Sequence, residues 1–198
     1  ERSFRKHNPT ANSCTIPNGV DEAFFHPDAV NPFTPAEGPN LVFEGVMCFR
    51  PNVDAAQYFV ASILPMIRAE FPTVHLSLVG RDPEKSIQQL AQDNITVTGF
   101  VDDVRPWLAG ADVFVCPMRA GAGIKNKILQ AWAMGKAVVS TPEGAYGLDA
   151  VDGHNIVIRS EPKAFAAAVL MLLNDTDQRH AIGRAARETI DRQYSWES

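Results

Sequence analysis

The sequence predicts a doubly wound α/β domain, in which a parallel sheet is covered by helices on both faces. Short apolar runs rich in Val, Ile and Phe alternate with longer segments whose apolar residues recur at helical spacing. Glycine and proline stand at many of the junctions between them. Because connections between parallel strands are right-handed, the loops that follow the strands meet at one edge of the sheet, where ligands of such folds bind.

The composition narrows the class of protein. The chain has 198 residues, of which 45% are hydrophobic and 21% charged, and its formal net charge is −5. This length suits one domain with a sizeable core, and the negative charge argues against nucleic acid as a partner. Cys14, Cys48 and Cys116 lack the spacing of a metal site or a CxxC motif, so we expect no metal and a cytoplasmic location. The chain does not begin with methionine, and we expect it to belong to a longer protein.

Five or six strands, alternating with six helices, are predicted. The strands are placed at residues 41–46, 74–80, 95–98, 111–116, 137–140 and 155–158. The helices are placed at about 53–71, 83–92, 103–109, from 124 to the C-capping Gly135, 162–173 and 175–192. Asn52 and Asp82 are predicted as N-caps, and Pro65 is expected to bend or split the first helix. Residues 28–40 are expected to be an irregular connector.

The stretch 115–144 is the one most suggestive of function. A strand ends at Pro117, a turn with Gly121 and Gly123 follows, and an amphipathic helix begins close behind it. Lys125 and Lys127 fall near the start of this helix, where the helix dipole favours acids over cations. Two lysines in this position suggest a bound polyanion such as a phosphate group. The alternative is that both are solvated surface lysines.

The segment from Gly121 to Val139 resembles a known family. It reads G-A-G-I-K-N-K-I-L-Q-A-W-A-M-G-K-A-V-V. It is similar to the C-terminal, donor-binding domain of retaining GT-B glycosyltransferases of the "glycosyl transferases group 1" family, especially bacterial exopolysaccharide-associated sugar transferases that read R-G-I-x-N-K-x-L-E-A-M-A-M-G-x-P-V-V. I-P-N-G-V-D at 16–21 and Y-S-W-E at 194–197 also fit the family. The resemblance implies a Rossmann-like half of a GT-B fold, with 1–40 as linker from an N-terminal domain and 41–198 as nucleotide-sugar-binding domain.

Two positions depart from the family pattern. A pair of glutamates usually contacts the donor sugar and the ribose, and their places are taken here by Ala122 and Gln130. Gln130 can still hydrogen-bond ribose hydroxyls, whereas Ala122 cannot replace a carboxylate. A catalytically impaired nucleotide-binding or scaffold domain is therefore the alternative to an active transferase. A sugar-nucleotide epimerase fits the motifs less well, and a dinucleotide-dependent oxidoreductase lacks its Gly-x-Gly-x-x-Gly signature.

The resemblance also implies roles for particular residues near the strand ends. Gly45 matches a family glycine after the first strand, and Arg50 is the cation expected to contact the donor diphosphate, unless it pairs with Asp54. The loop beside the nucleotide base is assigned to Gly99, Phe100 and Val101. For Phe100 alone, packing into the core is the simpler interpretation.

The remaining assignments concern the diphosphate and the sugar. The diphosphate is expected at the turn and helix start formed by Gly121, Gly123, Ile124 and Lys127. Arg50 and Lys127 are the predicted catalytic residues, because cations that stabilise a departing nucleoside diphosphate lower the barrier. Glu143 is expected to bind donor hydroxyls, with a solvated loop acid as the alternative.

The resemblance finally implies the partners. The donor is a nucleoside diphosphate sugar, either UDP- or GDP-linked, and no obligatory cofactor or metal is expected. The acceptor is a saccharide or a lipid-linked acceptor, bound with the help of the protein's own N-terminal domain. Peripheral association of the full-length protein with the inner face of the membrane stays open.

Overall fold

Six parallel strands form the central sheet in the computed structural model, which describes residues 18–121 and 123–196. The strands are β1 (Asn40–Glu44), β2 (His75–Val79), β3 (Ile95–Val97), β4 (Val113–Cys116), β5 (Val138–Ser140) and β6 (Val157–Ile158). Their spatial order is β3-β2-β1-β4-β5-β6, and every neighbouring pair is parallel. The order reverses between β1 and β4, which makes that position the switch point of a doubly wound sheet.

Helices connect the strands. They are α1 (Arg50–Tyr58), α2 (Leu64–Glu70), α3 (Lys85–Gln88), α4 (Arg105–Ala109), α5 (Asn126–Ala133), α6 (Pro142–Ala145), α7 (Pro162–Asn174) and α8 (Thr176–Gln193). A π-helical segment, Phe59–Ile63, joins α1 to α2, and a 3-10 turn lies at Pro27–Ala29. The described part of the chain contains no helix with both the length and the apolar character needed to cross a membrane.

The core lies on both faces of the sheet. All residues of β2 and β4 are buried, as are the first four of β1. Because successive side chains of a strand point to opposite faces, continuous burial means that both faces are covered. The bulkiest fully buried side chains are Trp132, Phe43, Phe59, Phe114 and Phe165. The predicted fold class is confirmed, and each predicted strand is found within two residues of its expected bounds.

The first predicted helix differs in its start. It begins at Arg50 with Phe49 as N-cap, so the prediction of Asn52 as N-cap is wrong. Asn52 is buried inside the first turn, and its side chain is used for contacts across the fold. The expected break at Pro65 is confirmed, since the π-helical segment ends just before it and α2 starts with Pro65 in its first turn.

Two further helices, α3 and α6, differ from the sequence prediction. The helix expected at 83–92 is reduced to α3, with Glu84 as N-cap, because Asp82 adopts a left-handed conformation (φ 56°) and begins no helix. The short helix α6 was expected as a loop. It forms because the Thr141 side chain accepts a hydrogen bond from Gly144 N (3.1 Å) and Pro142 suits a first turn.

The segment before β1 lies against the end of α8. Val20 N donates to Tyr194 O (2.8 Å), and the Arg187 guanidinium donates to Phe25 O (2.9 Å) and to Ala133 O of α5 (2.6 Å). The first part of the predicted linker, residues 1–17, lies outside the described residues, as do the last two residues of the chain. The domain boundary predicted near residue 40 stays a prediction.

Candidate functional site

A groove runs along the carboxyl edge of the sheet beside the switch point. It consists of two adjoining cavities of about 270 Å³ and 350 Å³. One cavity, here the aromatic end, is lined by Gly80, Arg81, Phe100, Val101 and Val104 among others. The other, here the basic end, is lined by Met118, Gly121, Ile124, Lys125, Asn126 and Lys127 among others. Both cavities share Glu44, Gly45, Val46 and Gln130, which form the middle of the groove.

The basic end is built by the turn that precedes α5. Gly121 and Gly123 take positive φ angles of 114° and 80°, which L residues with a side chain rarely adopt. Lys125, at the N-cap position, is only 8% exposed, and its Nζ donates to Gly121 O (2.9 Å) and Gly123 O (2.7 Å). This ammonium therefore holds the turn against the start of the helix.

Lys127 is fixed in the groove by contacts with the opposite loop. Its Nζ donates to the backbone oxygen of Glu44 (2.6 Å) and to Oδ1 of Asn52 (2.7 Å), and lies 4.3 Å from the centre of the Phe43 ring. Burial lowers the pKa of Lys127, while the nearby Glu44 and Cys116 act in the opposite direction. An ammonium has three N–H groups, so one of them has no acceptor among the described residues. The alternative of two solvated surface lysines is wrong.

Gly45 is required by this arrangement. A Cβ at Gly45 would lie 2.5 Å from Asn52 Nδ2 and 2.7 Å from Lys127 Nζ. A Cβ at Gly80 in the next loop would clash with the carbonyl oxygen of Gly45. Glycine at both positions lets the loops after β1 and β2 approach each other and lets Lys127 reach the strand end.

The roles of Asn52 and Glu44 in the groove were not predicted from the sequence. Asn52 was interpreted as a cap, but its Nδ2 donates to Val46 O (3.0 Å) while its Oδ1 holds Lys127. Glu44, the last residue of β1, places a carboxylate in the middle of the groove, and burial raises its pKa to about 7, although Lys127 opposes the shift. The only signal for Glu44 was an acidic residue at the end of an apolar strand.

The aromatic end contains the predicted base loop. Phe100 is 71% exposed at the mouth of the cavity, so the interpretation of core packing is wrong. Val101 lines the same cavity. Gly99 is absent from the described lining residues, but its positive φ (69°) and its bridge to Gly80 set the course of this loop.

Other predicted residues lie beside the groove without lining it. Among the described lining residues we do not find Arg50, Gly123 or Glu143. Arg50 is the exposed first residue of α1, and it does not pair with Asp54, which instead binds Arg119 (Oδ2 to Nε, 3.0 Å). Its contact with a diphosphate stays a prediction.

Glu143 is exposed in the first turn of α6. Its loop does approach the basic end, because a Cβ at Gly147 would lie 3.3 Å from Ile124 Cγ1. Ala122 lies outside the described residues. Within residues 18–121 and 123–196, no group of three or more His, Cys, Asp or Glu could hold a metal ion.

The strand order and the groove at its switch point define a Rossmann-like domain that forms one half of a GT-B fold. The chain belongs to the family described as "Glycosyl transferases group 1", whose profile matches residues 38–175.

Relatives and solved structures agree with this membership. The chain is 31% identical to a phosphatidyl-myo-inositol mannosyltransferase of Mycolicibacterium smegmatis over 91% of its length, and 33% identical to the lipopolysaccharide core biosynthesis glycosyltransferase LpsE of Rhizobium meliloti over 83%. It covers 48% of each, and so spans about half their length. The Anabaena HepE structure, in complex with UDP and glucose, shares the fold with a TM-score of 0.71 at 17% identity, over 90% of this chain and 52% of HepE.

Proposed function

We propose that this chain is the donor-binding part of a retaining glycosyltransferase. It would bind a nucleoside diphosphate sugar, whose sugar passes to a saccharide or lipid-linked acceptor in polysaccharide biosynthesis. The observation that carries the proposal is Lys127, an ammonium held in the groove by Asn52 and the Glu44 carbonyl with one N–H that has no acceptor among the described residues. Relatives named as mannosyltransferases, some of them GDP-mannose-dependent, and the UDP complex of HepE support it.

The two ends of the groove suit the two ends of a nucleotide. Phe100 offers an exposed ring on which a base can stack. The basic end offers the free N–H groups at the start of α5 together with Lys125 and Lys127, which is a favourable environment for a diphosphate. The donor therefore lies with its base at the aromatic end and its diphosphate at the basic end.

The chemistry then follows from charge. When the bond between the anomeric carbon and the diphosphate oxygen breaks, the leaving group gains negative charge. Lys127 is already fixed by its two acceptors, so it can stabilise that charge with little rearrangement. Arg50 is the second predicted cation, and it would reach the diphosphate from its exposed position on α1.

The rest of the transferase is also part of the proposal. The acceptor would be bound largely by the N-terminal domain that we expect beside this one, on the cytoplasmic side. Peripheral contact of that longer protein with the membrane would bring it to lipid-linked acceptors.

Calorimetric titration of the chain with UDP, GDP, ADP and their glucose or mannose conjugates tests the donor site. One of the three nucleotides, together with its sugar conjugates, should bind. Lys127→Ala should lower the affinity for it about ten- to a hundred-fold, as the loss of a charged hydrogen bond does. Lys163→Ala is the matched control, because Lys163 is exposed on α7 away from the groove. No binding of any of the three series would contradict the proposal.

A catalytically impaired nucleotide-binding domain is the second candidate. The observation that favours it is Gln130, an amide in the middle of the groove where family members carry a glutamate. Radiolabelled sugar transfer by a longer protein that contains this chain separates the two candidates. Nucleotide binding without any transfer would favour the impaired domain.

A further inference from the structure

Among the residues that the structure describes, Glu44 has no hydrogen-bond or ion-pair partner for its carboxylate. Its backbone oxygen accepts from Lys127, but within residues 18–121 and 123–196 its side chain makes no hydrogen bond or ion pair. It is partly buried at the end of β1 and lines both cavities. The charges that line the groove beside it are Lys125 and Lys127 at the basic end and Arg81 at the aromatic end, where Arg81 lies 3.8 Å from Asp82.

A desolvated carboxylate without a donor is costly to a fold. The cost is visible here in the pKa of Glu44, which burial raises to about 7. A ligand that supplies hydroxyl donors at this point would remove the cost. A phosphate group could not do so, because its charge would repel the carboxylate.

The position of Glu44 along the groove selects the donor groups. A nucleoside diphosphate presents its base, its ribose and its diphosphate in that order. With the base at the aromatic end and the diphosphate at the basic end, the ribose lies over the shared middle. The polar side chains of that middle are Glu44 and Gln130.

We infer that Glu44 is a specificity-determining residue that accepts hydrogen bonds from the ribose 2′- and 3′-hydroxyls, with the Gln130 amide beside it. This inference rests on the proposed function, because it needs a nucleotide in the groove. It adds that the site distinguishes ribonucleotides from deoxyribonucleotides through a carboxylate on β1. A carboxylate accepts strongly from a hydroxyl donor, and the loss of the 2′-hydroxyl would remove one of its two hydrogen bonds.

Calorimetry with matched pairs of nucleotides tests this inference. UDP, GDP and ADP are compared with their 2′-deoxy counterparts on the unaltered chain, on Glu44→Ala, and on the control Glu37→Ala, which alters an exposed acid before β1. For the nucleotide that binds, the unaltered chain should prefer the ribose form about ten- to a hundred-fold. Glu44→Ala should bring this ratio close to one, whereas Glu37→Ala should leave it unchanged.

Inorganic pyrophosphate separates a direct role from an indirect one. It has no ribose, so its affinity should not fall in Glu44→Ala if the carboxylate contacts only the sugar hydroxyls. An equal loss for pyrophosphate and for the ribonucleotide would mean that Glu44 acts through Lys127, and would overturn the inference. The isosteric Glu44→Gln repeats the comparison without a change in the groove volume. Its preference for the ribonucleotide over the 2′-deoxynucleotide should lie between that of the unaltered chain and that of Glu44→Ala.

The failures are distinguishable. If no ribonucleotide binds the unaltered chain, the proposed function fails and the inference fails with it. If a ribonucleotide binds the unaltered chain no more tightly than its 2′-deoxy counterpart, only the role of Glu44 is overturned. The same holds if Glu44→Ala keeps the preference of the unaltered chain.

Discussion

Replacement of Glu44 by glutamine should stabilise the ligand-free protein at neutral and alkaline pH. Burial raises the pKa of Glu44 from its ordinary 4.5 to about 7. Between these two values the folded state binds a proton that the unfolded state has released. The free energy of unfolding therefore falls as the pH rises through this window, and the loss is complete above about pH 7.

The size of the effect follows from the shift. The interval is about 2.5 pH units, and each unit corresponds to about 1.4 kcal/mol, which sets an upper value of about 3 kcal/mol. Water in the open groove screens the charge, so we expect about 1 to 3 kcal/mol. Glu44→Gln mimics the protonated acid, and it should match the unaltered chain near pH 4.5 and exceed it by this amount at pH 8.

Urea unfolding measured at several pH values between 4.5 and 8 provides the assay. Tryptophan fluorescence reports the transition, because Trp132 is fully buried in the folded chain. Other groups with shifted pKa values, including Lys127 and the partly desolvated His75, affect the pH dependence of the unaltered chain and of Glu44→Gln alike. The difference between the free energies of unfolding of these two proteins therefore isolates Glu44. Glu37→Gln is the control, because Glu37 is exposed and its replacement should leave the pH dependence unaltered.

A constant difference across the pH range would refute the reasoning. It would mean that the carboxylate of Glu44 is as well solvated in the folded chain as in the unfolded one. The argument for an unpaired acid in the middle of the groove would then be lost.

Two further predictions concern the middle of the groove and its aromatic end. Gly45→Ala should cost about 1 to 3 kcal/mol of stability and weaken nucleotide binding, because its methyl group displaces Asn52 and Lys127. Thermal unfolding measures the stability and calorimetry measures the binding. Unchanged values of both would show that the loop has room for a side chain. Phe100→Ala should change stability by less than about 0.5 kcal/mol, since the ring is 71% exposed. It should nevertheless lower nucleotide affinity by about 1 to 3 kcal/mol through lost stacking, and equal affinity would remove Phe100 from the base site.

The elements of this fold were largely predictable because their signals are local. Buried parallel strands appear as short apolar runs, and all six were found close to their predicted positions. The C-cap of α5 is Met134, and the predicted Gly135 is the residue after it, with a φ of 66° and its N–H on Trp132 O (2.9 Å). The helix starts at Arg50 and Lys85 were harder to predict, since a cap depends on the backbone angles of the residue before the helix.

The candidate site was predictable only in part. The turn before α5 and the loop at Phe100–Val101 followed from glycine placement and from the family resemblance. Gly121, Ile124 and Lys125 of the turn and both residues of the loop line the groove. Asn52 and Glu44 did not follow, because their importance depends on partners far away in the chain. Lys127 is 75 residues from Asn52 and 83 from Glu44.

The sequence by itself determined a parallel α/β sheet, a cationic turn before α5 and the family to which they point. The tertiary structure decided which side chains share the groove. The physical reason is the reversal of strand order between β1 and β4, which brings the ends of these two strands side by side. There an ordinary helical lysine becomes a partly buried ammonium, and an acid at a strand end becomes a carboxylate without a partner among the described residues.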